Sequence, residues 1–234
     1  MTGSADLRAR VVAANRALVE AGLVVLTFGN ASAVDRDAGL VAIKPSGVAA
    51  SELRPRDVPV LELATGIGVS GSHRPSSDAP THLTILRAFP RAGGVVHTHS
   101  PFATAWAQAC RDLPCLGTTH ADHFRGAVPV TRLLTSAEID GNYEERTGEL
   151  ILETFVERDL DPDAVPAVLV AAHGPFVWGS SLEEAVENAI ALEVAACSAF
   201  RALALAEVEG IPEALVARHF ERKHGESAYY GQPL

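Results

Sequence analysis

Short apolar runs alternate with stretches of helical periodicity along this chain, and that alternation restricts its fold more than any other feature. Residues 41–43, 58–63, 94–98, 127–130 and 167–172 are apolar runs too short for helices and read as strands. Helical patterns near 80–89, 101–110, 136–157 and 182–207 separate them. At the N-terminus, Leu7, Val11, Ala14, Leu18 and Ala21 recur every three to four residues, which predicts an amphipathic helix over 6–21 that Gly22 ends. A cationic helix and a Gly/Tyr tail follow Ile211. The class expected is α/β. No composition break divides the 234 residues, so a single domain, 1–234, is the simplest organisation.

Composition narrows the partners. A formal charge of −10 leaves no extended basic surface, so neither nucleic acid nor an anionic membrane is expected, and any anion must be held locally. The chain is 47% hydrophobic, yet no uninterrupted run approaches the roughly 20 apolar residues of a bilayer span. The excess is expected at a subunit interface instead. Cys110, Cys115 and Cys197 are odd in number and contain no Cys-x-x-Cys pair, which suits packing residues in a reducing compartment. The first ten residues carry no apolar secretory core, and a cytoplasmic location is the expectation.

The chemistry gathers in a few polar segments. His97 and His99 alternate on one run; in an extended strand they share a face, where two imidazoles can converge on a cation. His173 follows a second apolar run, and three neutral imidazoles suit zinc or a similar transition ion with a position left for water or substrate. Gly29-Asn30-Ala31-Ser32 and Lys44-Pro45-Ser46-Gly47 offer donors and glycines where a backbone can approach a ligand, although a turn alone would explain either. Pro75-Ser76-Ser77-Asp78-Ala79-Pro80-Thr81-His82 reads as a helix start whose free N–H groups could take a phosphate. Asp78 would cap that helix, or serve a metal as ligand or a substrate as base. Asp122, in the loop-like 118–124, is an acid/base candidate.

Together these segments resemble the class II aldolase superfamily, and within it the L-ribulose-5-phosphate 4-epimerases. The resemblance rests on Gly29 to Asp35, Ile43 to Val48, Arg74 to His82, His97 to Ser100, Trp106-Ala107-Gln108, Gly117 to Asp122, His173 to Phe176 and Lys223 through Gln232, in that order. It implies a single-domain α/β/α sandwich around a largely antiparallel sheet. It also implies zinc, or another divalent ion such as manganese, one per subunit, on His97, His99 and His173, with Asp78 as fourth ligand or close neighbour. Gly29, Asn30, Lys44, Ser46, Gly47, Ser76, Ser77 and Thr118 would surround a sugar phosphate. A homotetramer with sites between subunits is implied, in which the tail 223–234 reaches a neighbour, Asp122 and Tyr230 work as the acid/base pair, and His219 and Arg222 lie close by. The implied reaction interconverts L-ribulose 5-phosphate and D-xylulose 5-phosphate by breaking and re-forming the C3–C4 bond. His123 stands where the resembled enzymes carry tyrosine, Pro101-Phe102 where they are polar or basic, and Ala171-Ala172 where they are polar. The alternatives are a fuculose-phosphate-type aldolase, which typically carries glutamate in place of Asp78 and stops at cleavage, and a catalytically silent metal-binding scaffold.

Overall fold

The computed structural model describes residues 2–225 and 228–230, with side chains from Asp6 onward. Seven strands form one sheet: β1 (Asn30–Asp35), β2 (Leu40–Ile43), β3 (Val60–Glu62), β4 (Gly68–Ser70), β5 (Gly94–His97), β6 (Ala167–Val170) and β7 (Gly174–Gly179). Their order is β4-β3-β2-β1-β5-β7-β6, and every neighbouring pair is antiparallel. The described helices are α1 (Thr2–Glu20), α2 (Ala79–Ala88), α3 (Pro101–Gln108), α4 (Thr118–Ala121), α5 (Ser136–Ile139), α6 (Tyr143–Glu157), α7 (Leu182–Leu205) and α8 (Glu213–His224).

Strand alternation sorts the core into two layers, one on each face of the sheet. Val34, Val41, Ile43, Val95, Phe176 and Trp178 belong to the layer that contains Leu83 and Leu86 of α2 and Ile151 and Phe155 of α6. Ala31, Ala33, Ala42, Val96 and Val177 face the other way, toward Val11 and Leu18 of α1, Ala103 of α3 and Leu192 of α7. Small side chains on β1 and β2 let α1 approach that second face closely. The result is the expected α/β/α sandwich with an antiparallel sheet. α7 has the length and hydropathy of a bilayer span, but it buries Leu182, Ala185, Val186, Ala189 and Leu192 in this core.

Several elements differ from the pattern reading. Residues 127–130 form no strand; only isolated bridges link Leu113 to Val128 and Val130 to Leu169, since Pro129 cannot donate to a ladder. The helical pattern 136–157 is two helices, α5 and α6, interrupted at Asp140-Gly141-Asn142. Residues 118–121 make a turn of helix rather than a loop. Strands β1, β4 and β7 had no matching run, because Asn30 to Ala33 is poor in branched apolar residues and Gly174-Pro175 reads as a turn. Cys115 packs with Ala121 and Val216, whereas Cys110 is exposed at φ +52°, so it is not the packing residue expected.

Candidate metal centre and a second polar cluster

The sheet brings the three histidines together at one end. His97 is the last residue of β5, directly opposite Asn30 of β1 on one side and Phe176 of β7 on the other. His99 lies just beyond the strand, and His173 sits in the three-residue turn between β6 and β7, after Ala172 at φ +61°. Glycines on both flanks allow the close approach: a Cβ on Gly29, itself at φ +83°, would stand 2.7 Å from the His97 carbonyl, and one on Gly174 would stand 2.7 Å from the Thr98 carbonyl. One candidate ligand nitrogen from each histidine lies within 4.8 Å of the others.

The donor set fits a divalent ion. His97 Nδ1 lies 2.9 Å from the Pro175 carbonyl, which only accepts, so Nδ1 carries the proton and Nε2 is bare. That Nε2 is 3.1 Å from His99 Nε2, close to the roughly 3.3 Å separating nitrogens about 2.0–2.1 Å from a tetrahedral zinc. The Phe176 ring stacks on His97 at 4.2 Å and fixes its plane. Burial pushes His97 well below the ordinary histidine range, with His173 adding to the effect; His99 and His173 are lowered chiefly by burial too, against the opposing field of Asp78. Neutral rings keep their lone pairs for a cation. Tyr143, the first residue of α6, places its hydroxyl 3.4 Å from His173 Nδ1. Nothing in the pattern reading singled out Tyr143, yet the Asp140-Gly141-Asn142 break marks it as the start of a new helix beside the site.

Around these rings the separate sequence motifs become one wall. Lys44 and Ser46 pair with Arg74 and Ser76 through Ser46 N to Arg74 O, 3.1 Å, and Ser76 N to Lys44 O, 2.9 Å. Ser46, Gly47 (φ +70°) and Ser77 are exposed along this ribbon, and Ser76 is buried beneath it. Asn30 Nδ2 donates to Ser76 Oγ at 3.0 Å and to Asp78 Oδ2 at 2.6 Å, while its Oδ1 is buried with no partner. Asp78 begins α2 but makes no capping hydrogen bond with its side chain; the carboxylate is held by Asn30 and stands beside the three-histidine cluster rather than in it. One helical turn on, His82 is fully buried with its Nδ1 2.7 Å from Ser32 Oγ, so Asn30 and Ser32 of β1 mate with Asp78 and His82 of α2 in two polar rungs. Burial lowers His82 to about 3, keeping it neutral. Among the described residues the buried Lys44 ammonium has two 3.5 Å carbonyl contacts, Thr27 and Pro45; burial lowers its pKa and Asp78 opposes that shift.

Asp122, Thr118, His219, Arg222 and Tyr230 are not at these histidines within one chain. Asp122 at the end of α4, His219 and Arg222 on α8 and Tyr230 beyond α8 form a second cluster, with Thr118 at the start of α4. Arg222 grips Asp122 with two bonds, Nε to Oδ1 at 2.8 Å and Nη2 to Oδ2 at 2.6 Å, and His219 Nδ1 donates to Oδ1 at 3.0 Å. Burial pushes Asp122 upward, but Arg222 and then His219 outweigh it and hold the carboxyl below its usual range. Tyr230 lies under the Arg222 guanidinium, 4.8 Å from ring centre to Cζ. Of the tail 223–234, Glu226, Ser227 and residues 231–234 fall outside the described residues.

The sequence model of the Class II Aldolase and Adducin N-terminal domain matches residues 9–199. The chain belongs to that family. Class II aldolases depend on a divalent metal, and the histidine triad could hold one. Among solved structures, an L-fuculose 1-phosphate aldolase superposes with a TM-score of 0.78 at 25% identity, covering 93% of this chain and 95% of that one. YgbL from Klebsiella pneumoniae, for which aldolase, epimerase and decarboxylase are the named candidate activities, gives 0.74 at 26% identity over 92% and 98%. The L-fuculose 1-phosphate aldolase from Glaciozyma antarctica PI12, 20% identical with a TM-score of 0.75 over 96% and 84%, shares the fold.

Proposed function

We propose that this class II aldolase-family protein is a metal-dependent sugar-phosphate enzyme that breaks a carbon–carbon bond beside a ketose carbonyl and re-forms it with inversion. The substrate we propose is L-ribulose 5-phosphate and the product D-xylulose 5-phosphate. A divalent ion held by His97, His99 and His173, with Asp78 beside it, would supply Lewis acidity to the ketose carbonyl and adjacent hydroxyl. The backbone and hydroxyls of Ser46, Gly47, Ser76 and Ser77, with Asn30 and the Lys44 charge, would retain the phosphate. Inversion at C4 cannot begin by removing its hydrogen, which is not acidic. Loss of the C4 hydroxyl proton instead leaves an aldehyde as the C3–C4 electron pair stays with C3; re-addition to the aldehyde's other face returns a proton to oxygen. Proton acceptors and donors are therefore needed on both sides. Asp122 and Tyr230 fill these roles in our proposal, delivered by the neighbouring subunit of a homotetramer, since within one chain they stand apart from the histidines.

The observation that carries this reading is the pre-assembled Asp122–His219–Arg222–Tyr230 cluster, which a purely structural metal site has no use for. The comparisons weigh toward a second reading, cleavage without re-addition, because a 25% identical L-fuculose 1-phosphate aldolase covers nearly the whole chain. Paired variants test the roles: Asp122→Asn and Tyr230→Phe should each keep the divalent ion and the assembly while losing at least about 100-fold in epimerisation. Full activity in both would refute the assignment.

A further inference from the structure

The second cluster contains a device that the acid/base reading leaves unused. Lys223 is the neighbour of Arg222 on α8, and His123 is the neighbour of Asp122 after α4. Lys223 Nζ lies 3.2 Å from His123 Nε2; an ammonium can only donate, so that nitrogen is the bare one of a neutral ring. The other ring nitrogen, Nδ1, donates to Asn188 Oδ1 at 2.9 Å, and Asn188 Nδ2 donates in turn to the Trp178 carbonyl at 3.0 Å. The relay ends on β7, so Lys223 is tied to the central sheet through a buried asparagine. The same ammonium stands 4.9 Å from the centre of the Tyr230 ring, beside the Arg222 guanidinium at 4.8 Å. The Tyr229 and Tyr230 amides both donate to the Arg222 carbonyl, at 3.0 and 3.1 Å.

We infer that Lys223 and His123 are positioning residues for Tyr230: two cations, one anchored by Asp122 and the other by the His123–Asn188 relay, form a clasp that docks the tyrosine ring. An anchored cation over a ring costs less ordering at the moment of docking than a free side chain would. Tyr230 remains 59% exposed, so the clasp fixes the ring while leaving much of it open to another surface. Burial, the largest influence on His123, keeps it below its usual range and therefore neutral, as the acceptor role demands.

The inference rests on the proposed role of Tyr230, and the test separates the two. Lys223→Met retains the stem without the charge, and His123→Phe retains a ring without the acceptor. With the metal-loaded full chain and L-ribulose 5-phosphate, each should lower kcat on the order of fivefold with little change in KM, and Lys223→Arg should restore most of the loss. In a Tyr230→Phe background, where the phenolic proton is gone, Lys223→Met should add no further loss. Chymotrypsin cleavage after Tyr229 or Tyr230 reports docking independently of activity and should accelerate in both single variants. Unchanged cleavage in both would overturn the clasp. So would an equal loss of kcat from Lys223→Met in both backgrounds, which marks a general structural effect. If Tyr230→Phe is fully active, the catalytic reading of Tyr230 fails while the cleavage rates still decide the docking.

Discussion

Each histidine of the triad is fixed by a different means, and the means are unequal. His97 is set by the stacked Phe176 ring and by the Pro175 backbone carbonyl on its Nδ1, and no side-chain deletion can remove that carbonyl. His173 relies on the Tyr143 hydroxyl. A partner on the far nitrogen orients a ligating imidazole and selects its tautomer, and losing one typically weakens metal binding 10- to 100-fold. Tyr143→Phe should therefore raise the dissociation constant for zinc by about tenfold, measured by chelator competition, with little change in the midpoint of metal-free unfolding. Unchanged affinity would remove Tyr143 from the account. At this scale the sequence was partly legible: alternation predicted that His97 and His99 would converge, and their rings do meet at 3.1 Å although the strand ends at His97 and His99 lies beyond it, while the Gly-rich and Ser-rich motifs form the wall beside them. It could not show that Asp78 would turn from its helix cap to Asn30, because a cap and a cross-element bond call for the same residue type.

Among the elements, α3 anchors the segment that carries His99, since it begins two residues after that histidine. Glu193 of α7 accepts the Phe102 and Ala103 amides at 2.8 and 2.9 Å, satisfying two helix N-terminal donors with a carboxylate that also suits the helix dipole. Glu193→Ala should cost about 1–3 kcal/mol in urea unfolding and loosen His99, so that zinc binds more weakly than in the parent chain. No loss of stability would mean that water replaces the carboxylate without penalty. Two of the strands that escaped the sequence reading, β1 and β7, did so because residues that serve close approach or the site replace the usual strand signal. β1 is built from Asn, Ala, Ser and Val because its two faces serve a polar site and a tightly approaching helix, so the usual branched apolar signal is missing. β7 opens with Gly174 and Pro175 for the sake of close approach to Thr98, and local chemistry then imitates a turn. Residues 127–130 failed in the opposite sense, having apolar character with a proline where a ladder donor was required.

For the whole molecule, buried neutral histidines tie stability to pH. His120 is 3% exposed and donates to the Gly126 carbonyl; burial lowers it from 6.5 to about 4. Between those values the unfolded chain binds a proton that the folded chain refuses, so stability falls as pH drops from about 6.5 toward 4. The loss from this residue is up to about 3 kcal/mol, and His82 acts in the same direction. Urea midpoints should drop between pH 7.5 and 5.0, and His120→Gln should flatten part of that slope; a flat profile in the parent chain would contradict the assignment. The fold as a whole was legible through alternation and resemblance, but strand order and the separation of the two polar clusters within one chain emerge only from the packed sheet. That separation makes the proposed chemistry depend on neighbouring copies as well as on metal. The most direct measurement incubates the metal-loaded protein with L-ribulose 5-phosphate, before and after exhaustive chelation, while following D-xylulose 5-phosphate and free glycolaldehyde phosphate. The account predicts metal-dependent formation of xylulose phosphate without accumulation of the aldehyde. Accumulating glycolaldehyde phosphate would assign cleavage alone, and turnover that survives complete metal removal would contradict the histidine centre itself.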